Sequence, residues 1–430
     1  MTAPDKPNKR PIGIDLFAGA GGLSLGFEQA GFDIAAAVEI DPIHCATHEF
    51  NFPYSRAICA SVVDMTGAEI RRRAGLGEAE IDVVFGGAPC QGFSMIGKRA
   101  LDDQRNQLVF HYVRLVSELH PKYCVFENVK GLTLGKHAQF LEELIEALEV
   151  AGYKLLLPYR VLNASDFGVP QDRRRLFLMG ARADQVMPTY PDAARQRTTV
   201  WEAIGDLPDA DQFPALFASD AVAAEWHSES SYARRMRGLA RDPSNFGYSR
   251  DFDPGILTAS LRTEHTALSQ KRFLATEKGT TEPISRFKKL HPDGLCNTLR
   301  AGTDSARGAF TSPRPIHPFL PRVITVREAA RLHSYPDWFR FHTTKWHGFR
   351  QIGNSVPPLL GRAVASKVMA ALGVKPEKPG RMLKQGEAQL LTFPMWRASQ
   401  YFGVAKDVIA QRTRKSAIDE HTKTIEEAYA

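Results

Sequence analysis

Short apolar runs alternate with amphipathic stretches through the first 180 residues, and this alternation constrains the fold more than any other feature of the chain. The apolar runs have the length of buried strands, and the stretches between them have the spacing of helices that cover a sheet. Such alternation predicts an α/β fold with a doubly wound, mostly parallel sheet, which binds ligands at the carboxyl ends of its strands. The predicted strands are residues 12–17, 34–40, 81–85, 123–126, 155–161 and 175–180, and the clearest helices are residues 108–119 and 138–150.

The charge of the chain is divided unevenly between its two parts. Residues 1–180 contain 19 Lys and Arg against 22 Asp and Glu, a net charge of −3, whereas residues 181–430 contain 36 against 26, a net charge of +10. Residues 181–322 are rich in Pro, Arg, Ser, Thr and Gly and show little periodicity, which predicts short elements joined by loops. A basic region beside a near-neutral one is typical of proteins that bind a polyanion, although a solvated basic surface would give the same counts.

Regular structure is predicted to return towards the end of the chain. Thr325-Val-Arg-Glu328 has the pattern of a capping box and opens a short helix that ends before Pro336. Pro357 is predicted to be the first residue of another helix, which ends at Gly373. The composition then turns to Lys, Pro and Gly, and the last ~40 residues are predicted to be an appended helical tail of unknown role.

A glycine-rich turn follows the first predicted strand, in the segment IDLFAGAGGLSLGFEQAGF at residues 14–32. Gly19, Gly21 and Gly22 allow a tight turn, and the N–H groups at the start of the next helix would face a ligand there. Glu39 ends the second strand and could accept hydrogen bonds from two ribose hydroxyls. The pattern fits either a dinucleotide or S-adenosylmethionine, although it lacks the GxGxxG spacing typical of NAD sites. A purely structural turn is the alternative.

The segment GGAPCQGFS at residues 86–94 directly follows a predicted strand and contains Cys90. A lone cysteine is more often a small buried side chain, as Cys124 inside a predicted strand would be. The Gly, Pro, Gln and Ser around Cys90 favour a functional loop instead. Glu127 ends the next strand, and neighbouring parallel strands would bring it to the same edge of the sheet. A thiolate beside a carboxylic acid suits covalent attack on an electron-poor ring, with the acid protonating a ring nitrogen.

An arginine block, Gln171-Asp-Arg-Arg-Arg175, precedes the last predicted strand. Arginines at such a place can form paired hydrogen bonds with a phosphate or a carbonyl oxygen. A solvated basic turn is the alternative.

The cysteines and the apolar segments indicate the cellular setting. The five cysteines lie at positions 45, 59, 90, 124 and 296, without CxxC spacing, so neither a disulfide framework nor a metal site is predicted. No apolar run approaches the ~20 residues of a membrane span, and the polar N-terminus lacks the apolar run of a signal peptide. We therefore expect a cytoplasmic protein, associated with the nucleoid, that has no membrane partner.

Seven ordered sequence blocks carry a resemblance to a known family. The blocks DLFAGAGG, VEID, GGAPCQGFS, ENV, QDRRR, ITVREAARLHSYPDWF and QIGNSVPP span residues 14–365 and resemble the cytosine-C5 DNA methyltransferase family. The resemblance implies a Rossmann-like methyltransferase sheet, S-adenosylmethionine as the cofactor, and methylation of cytosine C5 in duplex DNA. It also implies three segments: a first part of the catalytic and cofactor-binding domain (1–180), a target-recognition domain (181–322) and a return to the catalytic domain (323–373). The predicted helical extension (374–430) has no counterpart in the resemblance.

The resemblance assigns catalytic roles to four residues. Cys90 would add to C6 of cytosine, and Glu127 would protonate or hydrogen-bond N3. Arg175 would contact the O2 atom of cytosine, and Arg173 would either support Arg175 or hold the backbone. Asp172 and Arg174 vary in the family and receive no role. Because a thiol cannot reach C6 inside a stacked duplex, the target base must be flipped out of the helix.

The resemblance also assigns the cofactor site. Phe17 would pack on the adenine, Glu39 would bind the ribose, and Asp64 would meet the adenine amino group. Asn354 and the neighbouring backbone would close around the methionine end. The full set of predicted cofactor-binding residues is Phe17, Gly19, Gly21, Glu39, Ile40, Asp64, Pro89, Leu108 and Asn354.

Partners follow from the same interpretation. Duplex DNA would be held by residues 181–322, with candidate contacts at residues 286–289 and 298–303, and a restriction endonuclease could share the target site. We expect a monomer, since one flipped base needs one active site. The first alternative is a cytosine-C5 methyltransferase that acts on RNA, and the second is a catalytically silent DNA-binding regulator. A nicotinamide-dependent oxidoreductase is a more distant alternative, because Cys90 and Glu127 offer no hydride-transfer site.

Overall fold

A central β-sheet organises the protein, for which a computed structural model describes residues 10–89, 107–193, 197–227, 229–302 and 314–409. The strands are β1 Ile12–Leu16, β2 Asp33–Glu39, β3 Arg56–Cys59, β4 Val83–Gly86, β5 Tyr123–Val129, β6 Tyr153–Leu155, β7 Arg160–Asn163 and β8 Arg174–Arg182. Their order is β3-β2-β1-β4-β5-β8-β6, and β7 also pairs with β8. The first five strands in this order are parallel, and β8 runs antiparallel to β5, β6 and β7. The predicted α/β class with a mostly parallel sheet is confirmed.

Helices cover both faces of this sheet because its buried strands are apolar on both sides. In β4, Val83 and Phe85 belong to one apolar cluster, whereas Val84 between them belongs to a second cluster on the opposite face. The first cluster includes side chains of α1 and α11, and the second includes side chains of α3, α4 and α5. These helices are α1 Gly22–Ala30, α3 Gly67–Arg73, α4 Gln107–Leu119, α5 Lys136–Val150 and α11 Pro358–Ala371, and α2 Pro42–Asn51 follows β2.

Two strands differ from the sequence predictions. The single strand predicted at residues 155–161 is divided into β6 and β7, because Pro158 between them has no N–H group to donate to a ladder. The sequence analysis also missed β3, whose four residues Arg56–Cys59 are too few to show a clear alternation.

The return to regular structure near residue 325 is confirmed in its main features. Thr325 and Glu328 form both hydrogen bonds of a capping box at the start of α9 Val326–Leu332. The helix α10 Lys345–Asn354 follows. Pro357 precedes α11 as its cap, so the helix begins one residue later than predicted. The helices α1 and α11 pack very closely, since a Cβ at Gly26 would lie 2.7 Å from the backbone nitrogen of Arg362.

The basic region of residues 181–322 consists of short elements joined by loops, as its composition predicted. These are α6 Val200–Ile204, β9 Val222–Ala223, α7 Ser231–Met236, β10 Ser249–Arg250, β11 Ile256–Leu257 and α8 Ala267–Ala275. A buried ion pair ties this region to the sheet domain: Nη2 of Arg250 lies 2.7 Å from Oε2 of Glu28 in α1, and both side chains are fully buried. The position of the basic region is therefore fixed by charge pairing as well as by apolar packing.

The described part of the C-terminal extension, residues 374–409, is less helical than predicted. It contains β12 Met382–Leu383, a 3₁₀ turn at Ala388–Thr392 and one α-helix, α12 Met395–Phe402. The strand β12 pairs with β10 of the basic region. Leu390, Leu391 and Phe393 pack against Ile43 and Phe50 of α2. The predicted tail from residue 410 onwards lies outside the described residues.

A buried arginine joins α9 to the basic region. The guanidinium of Arg331 is fully buried and donates to the carboxylates of Asp206 and Asp337 and to the carbonyl of Ala203, at 2.5 to 3.1 Å. All five of its N–H groups have a partner. Burial raises the pKa of Asp337, but the neighbouring Arg331 charge outweighs burial and holds that pKa below its ordinary value.

Replacing Arg331 with Met should lower the free energy of unfolding by about 3–5 kcal/mol, because two carboxylates would remain buried without their cation. The measurement is chemical denaturation followed by circular dichroism. Arg72→Met is the control: Arg72 also contacts a carboxylate at 2.7 Å, but its side chain is 71% exposed. Its loss should leave the free energy of unfolding close to that of the wild type, because water and salt screen an exposed ion pair. Equal losses in the two variants would contradict the structural role assigned to Arg331.

Candidate active site

A cleft of about 640 Å³ opens at the carboxyl ends of the parallel strands, a size typical of a small-molecule site. Each of the strands β1 to β5 ends at this cleft, because parallel strands place their carboxyl ends at one edge of the sheet. The segments that line it from the sheet side are residues 17–20 after β1, 39–41 after β2, 60–62 after β3, 87–89 after β4 and 127–129 at the end of β5.

The turn after β1 shows the backbone strain of a functional site. Phe17 lines the cleft with a φ of 65°, a conformation that is unfavourable for a bulky residue. Gly19 also lines the cleft, and a Cβ there would meet no atom within 4 Å. Gly21 is different, because a Cβ there would lie 2.5 Å from the ring of Phe52. Gly21 is not among the lining residues and serves the packing of α1, and its contact with a cofactor remains a prediction from the sequence.

Backbone amides hold the carboxylate of Glu39 in place. Oε2 accepts a hydrogen bond from the N–H of Gly19 at 2.8 Å, and Oε1 accepts one from the N–H of Asp41 at 2.9 Å. Each oxygen keeps a second lone pair, so the carboxylate can still accept hydrogen bonds from two hydroxyl groups. Ile40 lines the cleft beside it and is 38% exposed. This arrangement fits the ribose contact that the sequence predicts for Glu39.

The opposite wall of the cleft comes from the end of α10. Asn354 is exposed and lines the cleft, as does Arg350 one helical turn earlier. Nη1 of Arg350 contacts Oδ2 of Asp41 at 2.8 Å across the cleft. Burial raises the pKa of Asp41, but the charges of His44 and Arg350 outweigh burial and hold that pKa below its ordinary value. The Arg350–Asp41 pair therefore joins the two walls of the cleft.

Glu127 and Arg175 form an ion pair deep in the cleft. Nε of Arg175 lies 3.0 Å from Oε1 of Glu127, and both side chains are nearly buried. Gly87 leaves room for this carboxylate, since a Cβ there would lie 2.3 Å from Oε2 of Glu127. Burial raises the pKa of Glu127 above its ordinary value, although the charges of Arg175 and Arg173 partly oppose the change. A carboxyl group with a raised pKa is suited to donate a proton near neutral pH.

Arg173 does not reach the cleft. Its guanidinium is buried and donates to the backbone carbonyls of Leu299, Gly353 and Ser355 at 2.8 to 2.9 Å. The sequence left open whether Arg173 supports Arg175 or holds the backbone, and the contacts favour the second role. Arg174, the residue between them, is exposed.

The structure places the remaining predicted residues as follows. Cys90 lies outside the described residues, and Pro89, which directly precedes it, lines the cleft. Leu108 of α4 also lines the cleft. Asp64 is exposed and is not a lining residue, whereas Ser61 of the same segment is. The adenine contact of Asp64 remains a prediction from the sequence.

Several lining residues were missed by the sequence analysis. Asp15 is buried at the cleft, where burial raises its pKa to about 8 against a hydrogen bond of 2.6 Å donated by Ser24. The sequence feature that could have indicated Asp15 is the presence of an acidic residue inside an otherwise apolar strand. Val408 and Ile409 of the C-terminal extension also line the cleft, and no local pattern near them indicates this.

In the basic region, the two segments with candidate DNA contacts contain both exposed residues and residues that make contacts within the protein. Lys289 is buried, and its ammonium donates to two backbone carbonyls at the end of α8. This residue is therefore not placed to contact a phosphate. The hydroxyl of Thr298 donates to the carbonyl of Asp172, and this hydrogen bond helps to fix the position of the arginine block. Arg286 and Arg300 are exposed and remain candidates for contact with a polyanion. Residue 303 lies outside the described residues.

Metal-binding groups and membrane-spanning helices are both absent from the part of the chain that the structure describes. Within these residues, no group of three or more His, Cys, Asp and Glu side chains is arranged to hold a metal ion. Among the same residues, no helix has the length and apolar character needed to cross a bilayer.

Comparisons with known proteins agree with one another. A family model for C-5 cytosine-specific DNA methylases matches residues 13–370. The chain is 66% identical over 405 residues to the type II methyltransferase M.XorII from Xanthomonas oryzae pv. oryzae, covering 94% of this chain and 95% of that protein. It is 32% identical to the type II methyltransferase M.AgeI from Thalassovita gelatinovora, covering 84% and 99%. A solved structure of a prophage-encoded E. coli protein, described as a candidate DNA modification methyltransferase, has a TM-score of 0.71 at 34% identity, covering 85% and 100%.

Replacing Arg175 with Gln should raise the pKa of Glu127, because the charge of Arg175 is the strongest influence that lowers this pKa. The pKa is measured by titrating the side-chain carboxyl ¹³C shifts of protein labelled at glutamate, and the spectrum of Glu127→Gln identifies the resonance. Arg174→Gln is the control, since it removes an exposed neighbouring arginine whose Nε lies 3.8 Å from Asp172. A Glu127 pKa that is unchanged or lower in Arg175→Gln would contradict the ion pair.

Proposed function

This chain belongs to the C-5 cytosine-specific DNA methylase family, and from that premise we propose that it transfers a methyl group from S-adenosylmethionine to C5 of a flipped cytosine in duplex DNA, with Cys90 as the nucleophile. The observation that carries the proposal is the Glu127–Arg175 pair at 3.0 Å, in a cleft that Pro89 also lines directly before Cys90. An acid of raised pKa and a cation thus lie in the same cleft as Pro89, the residue that precedes Cys90 in the sequence.

The cleft fits the cofactor in size and in chemistry. About 640 Å³ accommodates a nucleoside with an amino-acid tail, and the open space at Gly19 leaves the turn accessible. Phe17 would pack on the adenine, and Glu39 would accept hydrogen bonds from the ribose hydroxyls. When bound, S-adenosylmethionine supplies a methyl group carried on a sulfonium. The other residues that would hold it are Ile40, Ser61, Pro89, Leu108 and Asn354.

The residues of the chain would activate cytosine in a balanced sequence of bond changes. The Sγ atom of Cys90 forms a bond to C6, while Glu127 donates a proton to N3, so electron density shifts to C5. C5 would then take the methyl group as the methyl–sulfonium bond breaks, which leaves S-adenosylhomocysteine. Loss of the C5 proton to a water molecule, breakage of the Sγ–C6 bond and return of the N3 proton to Glu127 would restore the aromatic ring, the thiolate and the carboxylic acid. Arg175 would hold the O2 atom of cytosine with N–H groups that Glu127 does not occupy.

The target base has to leave the DNA helix for this chemistry. Glu127 is nearly buried within the cleft, so a base that remains stacked in a duplex cannot bring its N3 atom to this carboxyl group. Extrusion of the base costs a few kcal/mol, on the order expected for base-flipping enzymes, and contacts to the phosphates would offset this cost. We propose that exposed arginines of the basic region, Arg286 and Arg300 among them, supply such contacts.

The similarity to proteins named as type II methyltransferases extends the proposal to a biological setting. We propose that the enzyme protects a short DNA site against a restriction endonuclease that reads the same site in the cytoplasm. It would act as a monomer, because one flipped base needs one cleft.

Wild-type protein should transfer labelled methyl groups to genomic DNA that lacks 5-methylcytosine, and Cys90→Ser should abolish the transfer, because a serine hydroxyl is a far weaker nucleophile than a thiolate. Bisulfite sequencing then maps the methylated sites, which should share one short motif. Cys124→Ala is the matched control, since it changes a cysteine that is buried inside β5, and it should keep the activity.

The same assay separates the alternatives. Transfer to RNA with none to duplex DNA would identify an RNA methyltransferase. No transfer to either, and no covalent adduct with DNA that contains 5-fluorocytosine, would indicate a silent DNA-binding protein and would overturn the role of Cys90.

Glu127→Gln should reduce kcat by roughly 10²–10⁴-fold, because an amide keeps the shape of the side chain but cannot donate a proton to N3. Single-turnover methyl transfer measures the chemical step, and calorimetry measures the affinity for S-adenosylhomocysteine, which should not change. Glu146→Gln, at an exposed position of α5, is the control. An equal kcat in the wild type and in Glu127→Gln would remove Glu127 from the mechanism.

A further inference from the structure

The C-terminal extension is fixed to two helices that carry walls of the cleft. On α2, the carbonyl of Phe50 accepts a hydrogen bond of 2.9 Å from the N–H of Gly386, in addition to the apolar packing against Leu390 and Leu391. Directly before α10, the N–H of Thr343 donates to the carbonyl of Leu391 at 3.0 Å. His342 contacts the carbonyl of Phe393 at 3.1 Å. The extension therefore has a defined position relative to both walls.

These two helices hold polar groups of the cleft. Asp41 and His44 belong to the start of α2, and Arg350 and Asn354 belong to α10. Because the extension packs on both helices, its residues share the rigid frame of the cleft and do not form a separate unit.

The chain turns back towards the cleft after α12. Gly403 ends this helix with a φ of 66°, and its N–H donates to the carbonyls of Gln400 and Ser399. The N–H of Val404 also donates to the carbonyl of Ser399, at 2.9 Å. A further turn follows, in which the N–H of Val408 donates to the carbonyl of Ala405 at 3.3 Å.

Val408 and Ile409 differ from the residues just before them. Both are half-buried and line the cleft, whereas Ala405, Lys406 and Asp407 are exposed. The two apolar side chains thus face the cleft, and the charged side chains face the solvent. Apolar side chains that stay half exposed in a cleft gain free energy when a ligand covers them.

We propose that Val408 and Ile409 are cofactor-binding residues, and that the C-terminal extension is an integral wall of the S-adenosylmethionine site. This inference rests on the proposed function, because it assigns the ligand of the same cleft. The two side chains would cover part of the bound cofactor and exclude water from it, which lowers its rate of escape. The extension would then act on cofactor affinity more than on the chemical step, which Cys90 and Glu127 carry.

Val408→Asp and Ile409→Asp should each weaken the binding of S-adenosylmethionine and S-adenosylhomocysteine by roughly tenfold, since each replaces an apolar contact with a charge that must lose water. Isothermal titration calorimetry measures both dissociation constants. The KM for S-adenosylmethionine should rise in parallel, while kcat at saturating cofactor should stay within about twofold of the wild type. Ala405→Asp is the matched control, because it adds the same charge to an exposed position of the same turn, and its affinities should equal those of the wild type.

The outcomes separate this inference from the proposed function. Equal affinities in wild type, Val408→Asp and Ile409→Asp, with cofactor bound by all of them, would overturn the inference and leave the proposed function standing. A wild type that binds neither S-adenosyl compound would overturn both. A reduced kcat with unchanged affinity would also overturn the inference. Val408→Leu, which keeps an apolar side chain, should retain the wild-type affinity and thermal midpoint.

Discussion

The antiparallel pairing of β8 with β5 is the constraint on which the candidate site depends. The register places Arg175 opposite Val129 and Phe177 opposite Glu127. Because β8 runs against β5, the beginning of β8 meets the end of β5 at the edge of the sheet where the parallel strands end. The arginine block therefore reaches the same cleft as Glu127. A parallel β8 would place Arg175 at the opposite edge, at a distance of several residues of strand length, and Glu127 would lose its cation.

The segment directly before β8 also contains a second arginine, whose side chain points away from the cleft. Arg173 lies just before β8 and points into the protein, where it donates to a carbonyl of the basic region and to the carbonyls of Gly353 and Ser355 at the end of α10. Arg250 with Glu28, and Arg331 with Asp206 and Asp337, make further buried connections of this kind. A buried guanidinium that loses one partner keeps an uncompensated charge, so each connection fixes the relative position of the segments that it joins. The cleft is thus held by charges that never face it.

The sequence predicted the parts of this structure that depend on local pattern. Strand β1 and the glycine-rich turn, the capping box at Thr325, and the placement of Glu39 and Glu127 at strand ends follow from residue types and short spacings. The sequence did not predict contacts between residues that are distant from each other in the chain. Gly21 packs against Phe52, and Lys289 binds the end of α8. Arg350 and Val408 reach the cleft from positions more than 300 residues after the turn at Gly19, and no local periodicity carries that information.

Charge is distributed so that two ligands of opposite charge can be held side by side. Among the described residues, four carboxyl groups line the cleft, those of Asp15, Glu39, Asp41 and Glu127, against the guanidinium groups of Arg175 and Arg350. Asp15, with a pKa raised to about 8 by burial, is mostly neutral at pH 7 and adds no charge there. The carboxylate of Glu39, which is held by backbone N–H groups and not by an arginine, would favour a cationic ligand such as a sulfonium. The excess of Lys and Arg lies in the later part of the chain, where it would attract a polyanion. The cofactor would be enclosed by apolar and acidic groups, and DNA would meet the basic surface. Each ligand would then be bound by charges of the opposite sign, and neither would compete for the other's contacts.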